Sequence, residues 1–187
     1  MKANTRKRVS KSEWLAQALE VLSNEGVQGI RVERLARDLK VAKSGFYWHF
    51  RDRRDLLRQV LEYWAYEFTE VVIQYQDLLN SDPESRLNQI SSMIRKHHLT
   101  KFEVSIRAWA EHDEMAAKVV AQVYKDRLAY LRETFRELGF KGDELEMRTR
   151  LFVCYHAWEM SMFGDESERK LARLQKLRIK LLTKNQE

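Results

Sequence analysis

Residues 26–57 read GVQGIRVERLARDLKVAKSGFYWHFRDRRDLL, and this stretch decides the fold. Leu35, Ala36 and Leu39 fall on one face of a short helix over about Val32–Leu39. Lys40 and Val41 make a turn. A third short helix is predicted over about Lys43–His49, with Phe46, Tyr47 and Phe50 available to a core. Helices this short are not stable alone, so they must pack as one unit. Upstream, Ser10 and Glu13 have the spacing of a capping box. Trp14, Leu15, Ala18 and Leu22 then mark a first helix, which Gly26 and Gly29 end. Three short helices with a tight turn before the third form the pattern of a helix-turn-helix.

Charge singles out the same region. Residues 1–54 hold 13 Lys or Arg against 6 Asp or Glu, whereas residues 55–187 hold 21 against 22. The whole positive excess therefore belongs to one module, as expected of an electrostatic footprint for DNA. The N-terminal end of a helix such as Lys43–His49 fits the major groove of a B-form duplex. Arg6, Lys7 and Arg8 on a basic arm can neutralise phosphate or reach the minor groove. Arg31, Arg34 and Lys43 are candidates for phosphate or base contacts, and Ser44 for either. Gly45 allows close approach of the backbone. Tyr47 and His49 can donate to phosphate, Trp48 lies off the apolar face, and Arg51 and Arg53 could clamp the backbone beyond. The alternative is a helical interaction module whose basic head meets an acidic partner.

The stretch from Trp14 through Leu57 resembles the TetR family of transcriptional regulators. Leu35-Ala36 matches the family's apolar-Ala pair and residues 39–42 its turn. Phe46-Tyr47-Trp48-His49-Phe50 matches its aromatic ending, and residues 51–57 its charged tail with a Leu pair. Three positions depart from the pattern. Arg31 stands where Thr or Ser usually caps the second helix, Lys40 where Gly is usual, and Ala42 where Ser is usual. A missing cap costs about 1 kcal/mol. The resemblance implies an all-α homodimer. Each subunit would have a three-helix DNA-binding head (1–52) and a larger helical bundle for effector binding and dimerisation (53–187). It also implies a double-stranded operator and a small-molecule effector that releases it.

The rest of the chain reads as helices, giving about nine in all. A long fourth helix carries Leu57, Val60, Leu61, Trp64, Phe68, Val71, Val72 and Tyr75, with no Gly or Pro from Arg53 to Asn80. Asp82 and Pro83 start the next, which is expected to run to about Lys101. A shorter helix follows over Phe102–Glu111. Next come a long stripe from Ala117 to Leu138 and two final helices. Leu151, Tyr155, Trp158 and Met162 mark one of these, and Leu171, Leu174 and Leu181 the other. The two stripes suit a dimer interface. Trp64, Phe68, Trp109, His112, Tyr124, Tyr155 and Trp158 are the candidate lining of an effector cavity.

Other chemistry finds little support. The sequence has no glycine-rich phosphate loop, no HExxH and no GxSxG, so an enzyme is not expected. The single Cys154 excludes an intrachain disulfide and a Cys-rich zinc site, and it reads as a small buried filler. His97 and His98 are adjacent and point to different faces, so neither metal nor cofactor is expected. No apolar stretch is long enough to span a membrane and no leader is visible, so a cytoplasmic protein is expected.

Overall fold

The structure, a computed structural model, describes residues 9–75, 78, 80–163 and 166–184. Every regular element among them is helical. The chain divides into two compact units. The first comprises residues 1–66 and 104–120, the second residues 67–103 and 121–187.

In the first unit, α1 (Lys11–Glu25) begins at the predicted capping box. The Ser10 hydroxyl accepts from the Glu13 N–H, and the Glu13 carboxylate accepts from the Ser10 N–H at 2.8 Å. Its buried face is Trp14, Leu15, Ala18, Leu19 and Leu22, which packs on α2 (Val32–Asp38) and α3 (Arg53–Ala65). Asp52 caps α3, accepting from the Asp55 N–H at 2.8 Å. Neither Arg31 nor Ala42 supplies a side-chain cap to the helix that follows it.

The third helix corrects the sequence expectation. Lys43–Trp48 is a six-residue 3₁₀ helix rather than an α-helical turn and a half. The Gly45 N–H bonds the Ala42 carbonyl at 2.9 Å and the His49 N–H bonds Phe46 at 2.9 Å, both three residues back. A segment this short, with no capping oxygen at Ala42, gains from the tighter winding.

The fourth helix also departs from expectation. After Ala65 the chain makes one π-helical turn, Tyr66–Glu70, and resumes as Val71–Ile73. Neither glycine nor proline marks this break. Single π turns inside α-helices recur at functional sites.

The second unit holds α4 (Pro83–Lys96), the body of α6 (Glu114–Glu137), α7 (Gly142–Phe163) and α8 (Glu168–Thr183). Between α4 and α6 lies α5 (Glu103–Ala110). Asp82 caps α4 with Pro83 at the first position, but the helix stops at Lys96 rather than near Lys101. A core of Leu87, Ile90, Leu131, Phe135, Phe152 and Ile179 binds the helices together. Full burial of each such side chain contributes roughly 1.5–3 kcal/mol. Helix α8 packs on α4, where the Gln175 amide donates to the Asn88 carbonyl at 3.1 Å and to Ser92 Oγ at 2.9 Å. Arg148 from α7 caps α8, donating to the Leu182 and Lys184 carbonyls at 2.7 and 3.0 Å. Cys154 is exposed, not the buried filler expected, because it faces outward between the buried Val153 and half-buried Tyr155.

Three helices end in the same hydrogen-bonded motif. The residue past the cap is left-handed, and the next N–H returns to a carbonyl five residues back. At α6 that residue is Gly139, with φ +94°. At α4 it is His98 (φ +50°) and at α2 it is Lys40 (φ +58°). The Lys40 N–H reaches the Arg37 carbonyl and the Val41 N–H reaches Ala36, at 3.1 and 3.0 Å. A β-carbon in this region costs about 1 kcal/mol, against a smaller entropic penalty for glycine. Lys40→Gly should therefore raise the unfolding free energy by about 0.5 kcal/mol in urea titrations. An unchanged or lowered midpoint would show that the Lys40 side chain compensates for its backbone.

Candidate nucleic-acid interface and effector cavity

Phe46 sets the geometry of the candidate DNA-facing surface. Its fully buried ring lies 5.7 Å from Trp14, edge to face, and 5.0 Å from Phe50. With Phe46 and Phe50 turned inward, the winding of the 3₁₀ helix turns Tyr47 and Trp48 outward, and Trp48 is 84% exposed. Ser44 is exposed on the first turn and Gly45 half-buried behind it. A β-carbon on Gly45 would meet only Trp14, at 4.0 Å, so packing does not require a glycine there.

Several predicted contact residues also hold the head together. Arg53 donates to the Ile30 and Val27 carbonyls, each at 2.7 Å, tying α3 to the loop before α2. Arg34 bridges Glu25 at 2.9 Å and Asp38 at 2.7 Å. His49 Nε2 donates to the Val9 carbonyl at 3.1 Å, which fixes the end of the N-terminal arm. Lys43 pairs with Glu33. That hydrogen bond raises the lysine's pKa and lowers the glutamate's. Arg31 is exposed, its Nε 3.4 Å from the Gln28 carbonyl. Arg6, Lys7 and Arg8 lie outside the described residues.

The second unit contains a mostly apolar cavity among the π turn, α4, α6 and α7. Its free space is about 570 Å³ with the solvent at its mouth, of which about 70 Å³ is open to the centre of a water molecule. Val72, Ile90, Ile94, Leu131 and Phe152 are among its walls. Arg127 enters from α6. Its Nη1 donates to both carboxylate oxygens of the fully buried Glu103 at 3.1 Å, and its Nε donates to Thr69 Oγ1 at 3.0 Å. The Tyr124 hydroxyl donates to the same Glu103 at 2.5 Å. Thr100 and Tyr130 also line the cavity; their hydroxyl oxygens are buried, and neither has a hydrogen-bond partner among the described residues.

His156 closes one side of the cavity. Its Nδ1 donates to the Phe152 carbonyl at 2.8 Å, while Nε2 meets Ser91 Oγ at 3.0 Å and Arg178 at 3.1 Å. Burial, with Arg178 adding to it, pushes its pKa from 6.5 down to about 3, against the Phe152 hydrogen bond. The imidazole is therefore neutral. Arg178 is balanced by Glu159 at 3.2 Å and lies over the Tyr155 ring at 4.0 Å.

Of the seven predicted effector residues, Phe68 is the one that lines this cavity. Trp64 is fully buried in the first unit, and Trp109 and His112 also belong there. Tyr124 supports the wall through Glu103, Tyr155 stacks under Arg178, and Trp158 is 39% exposed. The sequence reading missed Thr100, Arg127, Tyr130 and His156. Two of these carried a signal. Arg127 interrupts the apolar stripe between Tyr124 and Leu131, and His156 lies one turn beyond Phe152 on an apolar face.

An exposed apolar stripe runs along α7 through Met147, Leu151, Trp158 and Met162, with Leu177 and Leu181 exposed on α8. Leu174 is half-buried. Leu171 is buried instead in the chain's own core face, in line with Gln175, Ile179 and Leu182, so it is not part of the exposed stripe. Among the described residues, no cluster of three His, Cys, Asp or Glu could hold a metal ion, and no helix is long and apolar enough to cross a membrane.

Comparisons with known proteins address the head and the whole fold separately. Residues 15–60 match the family of bacterial regulatory proteins described as the tetR family. The HTH-type transcriptional regulator AcrR of Shigella flexneri is 32% identical over 73 residues, 39% of this chain and 34% of that protein. The matches span about a third or less of the length of the curated relatives. The Bacillus subtilis regulator FadR, solved with stearoyl-CoA, superposes with a TM-score of 0.71 at 16% identity, over 95% of this chain and 100% of that one. AibR, solved with isovaleryl coenzyme A and operator DNA, gives 0.68 at 16% identity, over 92% and 97%.

The neutral His156 has a consequence for stability. In the unfolded chain it takes a proton near pH 6.5, and in the folded chain only near pH 3. Between these values the unfolded state binds more protons, so stability falls as pH falls. Its share is at most about 1.4 kcal/mol per pH unit. Urea titrations from pH 7 to pH 4 should show a shallower decline in His156→Gln than in the unaltered protein. Parallel declines would mean that the folded imidazole already carries its proton.

Proposed function

We propose that this chain is a DNA-binding repressor of the TetR family, released from its operator by a small-molecule effector; the match of residues 15–60 to that family and the all-α fold shared with solved regulators support the reading. The exposed Tyr47–Trp48 face on a positively charged head carries this reading. An aromatic side chain as open as Trp48 gains little from its own fold. Lys43, Ser44, Gly45, Tyr47 and Trp48 form the groove-facing surface in this proposal, with Arg31 and the Arg6–Arg8 arm on phosphate. Arg34, Arg53 and His49 act mainly by holding that surface in shape.

The operator is read by two heads of a homodimer, whose half-sites lie about one helical turn, roughly 34 Å, apart. The stripe of Leu151, Met162 and Leu181 is the proposed interface, extended by Met147, Trp158 and Leu177. Bound complexes of similar folds with acyl-CoA and with operator DNA support the pairing of a duplex site and a ligand site in one chain.

The proposed switch is the π turn. Phe68 and Thr69 belong both to this turn and to the cavity wall, and Arg127 donates to Thr69. A ligand there acts on the helix that begins at Arg53. It shifts the dimer only through its difference in affinity for two states, and moving the balance from 1:99 to 99:1 takes about 5.5 kcal/mol.

Selection of duplexes from genomic fragments by the purified protein tests the reading, and retention of no specific duplex at moderate salt would sink it. On the selected duplex, Gly45→Ala should weaken binding at least tenfold. Its unfolding free energy should stay within about 0.5 kcal/mol, as for a substitution that meets no clash. Lys43→Ala should lower the salt slope of binding by about 1. Leu151→Glu should yield a folded monomer by light scattering. A Leu151→Glu protein that remains dimeric would place the interface elsewhere.

A further inference from the structure

We propose that the cavity of the second unit selects a small, neutral, largely apolar molecule bearing one hydrogen-bond-accepting oxygen, such as a cyclic ketone, and rejects carboxylates, phosphates and ammonium compounds. This deepens the regulatory reading and rests on the cavity being the effector site.

Charge is the first argument. Arg127 is the cation in the wall, and both oxygens of the buried Glu103 already neutralise it at 3.1 Å. An anionic ligand would have to take Arg127 from Glu103 and leave a buried carboxylate unpaired, which is strongly unfavourable. A cationic ligand would need Glu103, which Arg127 and Tyr124 already hold. His156 offers no charge either, since it is neutral and both ring nitrogens are engaged.

Hydrogen bonding is the second argument. Thr100, 7% exposed, and Tyr130 both line the cavity, and their hydroxyl oxygens are buried without a hydrogen-bond partner among the described residues. Buried polar groups are rarely left unmade, because each forfeits its hydration. Each hydroxyl can donate, and a carbonyl oxygen has two lone pairs to accept from them. The remaining wall is hydrocarbon and aromatic, so it suits a ring or short chain. Size is the third argument. A water occupies roughly 10–15 Å³ on the same measure, so the 70 Å³ available admits about five to seven heavy atoms.

Four probes of seven heavy atoms each separate the possibilities: cyclohexanone, methylenecyclohexane, cyclobutanecarboxylate and cyclohexylammonium. Binding to the full chain is followed by NMR at the Thr100 and Tyr130 resonances. Cyclohexanone should bind best, methylenecyclohexane about three- to tenfold more weakly, and the two ions not measurably. Thr100→Val and Tyr130→Phe keep shape while removing a hydroxyl. Each should cut cyclohexanone affinity about three- to tenfold and leave methylenecyclohexane unchanged. Tighter binding of either ion, binding of none of the four, or full ketone affinity in both variants would overturn the assignment. Adding cyclohexanone to the complex with the selected duplex tells the two claims apart. Ketone binding without release of DNA supports the ligand class and overturns the switch. Release by a charged compound seated in the cavity, with no ketone binding, overturns the ligand class alone.

Discussion

A half-buried guanidinium paired with a fully buried carboxylate organises the second unit. Glu103 is fully enclosed, so its charge must be answered within the protein, and Arg127 answers it through both oxygens. Breaking such a pair by removing one partner costs roughly 3–5 kcal/mol. The geometry this demands fixes three parts of the chain at once. Tyr124 must present its hydroxyl to the carboxylate, α5 must begin at Glu103, and the π turn must offer Thr69 to the far side of Arg127. The cavity is what those positions leave between the π turn, α4, α6 and α7.

The same arrangement gives the π turn a purpose. An uninterrupted α-helix from Arg53 would be the cheaper backbone, yet the register shifts at Tyr66–Glu70. That shift brings Thr69 to 3% exposure beside the Arg127 side chain.

In the head, a small number of aromatic contacts replaces helix length. Six residues wound as a 3₁₀ helix have almost no intrinsic stability. Phe46 anchors them edge to face on Trp14 and packs at a tilt on Phe50, each aromatic pair worth about 0.5–1.5 kcal/mol beyond its burial. Arg53, Arg34 and His49 then close the loops on either side. Positive charge in this module serves shape as well as the proposed attraction for phosphate.

Much was legible from local sequence. The capping box at Ser10, the Asp82 cap, the inward Phe46 and Phe50 and the outward Trp48 all follow from spacing alone, because each depends on residues within one or two turns. The all-α class and the charge asymmetry follow from composition and periodicity. Tertiary structure decided the rest. It turned the third helix into a 3₁₀ segment, broke the fourth at a π turn, exposed Cys154, buried Leu171 and placed Trp109 and His112 outside the cavity. It also supplied the partners of Arg127 and His156, Glu103 at 24 residues' remove and Ser91 at 65. Periodicity reports which side of a helix is apolar. It carries no information about what a distant segment will set against that side, and a buried charge or a cavity exists only through that second surface.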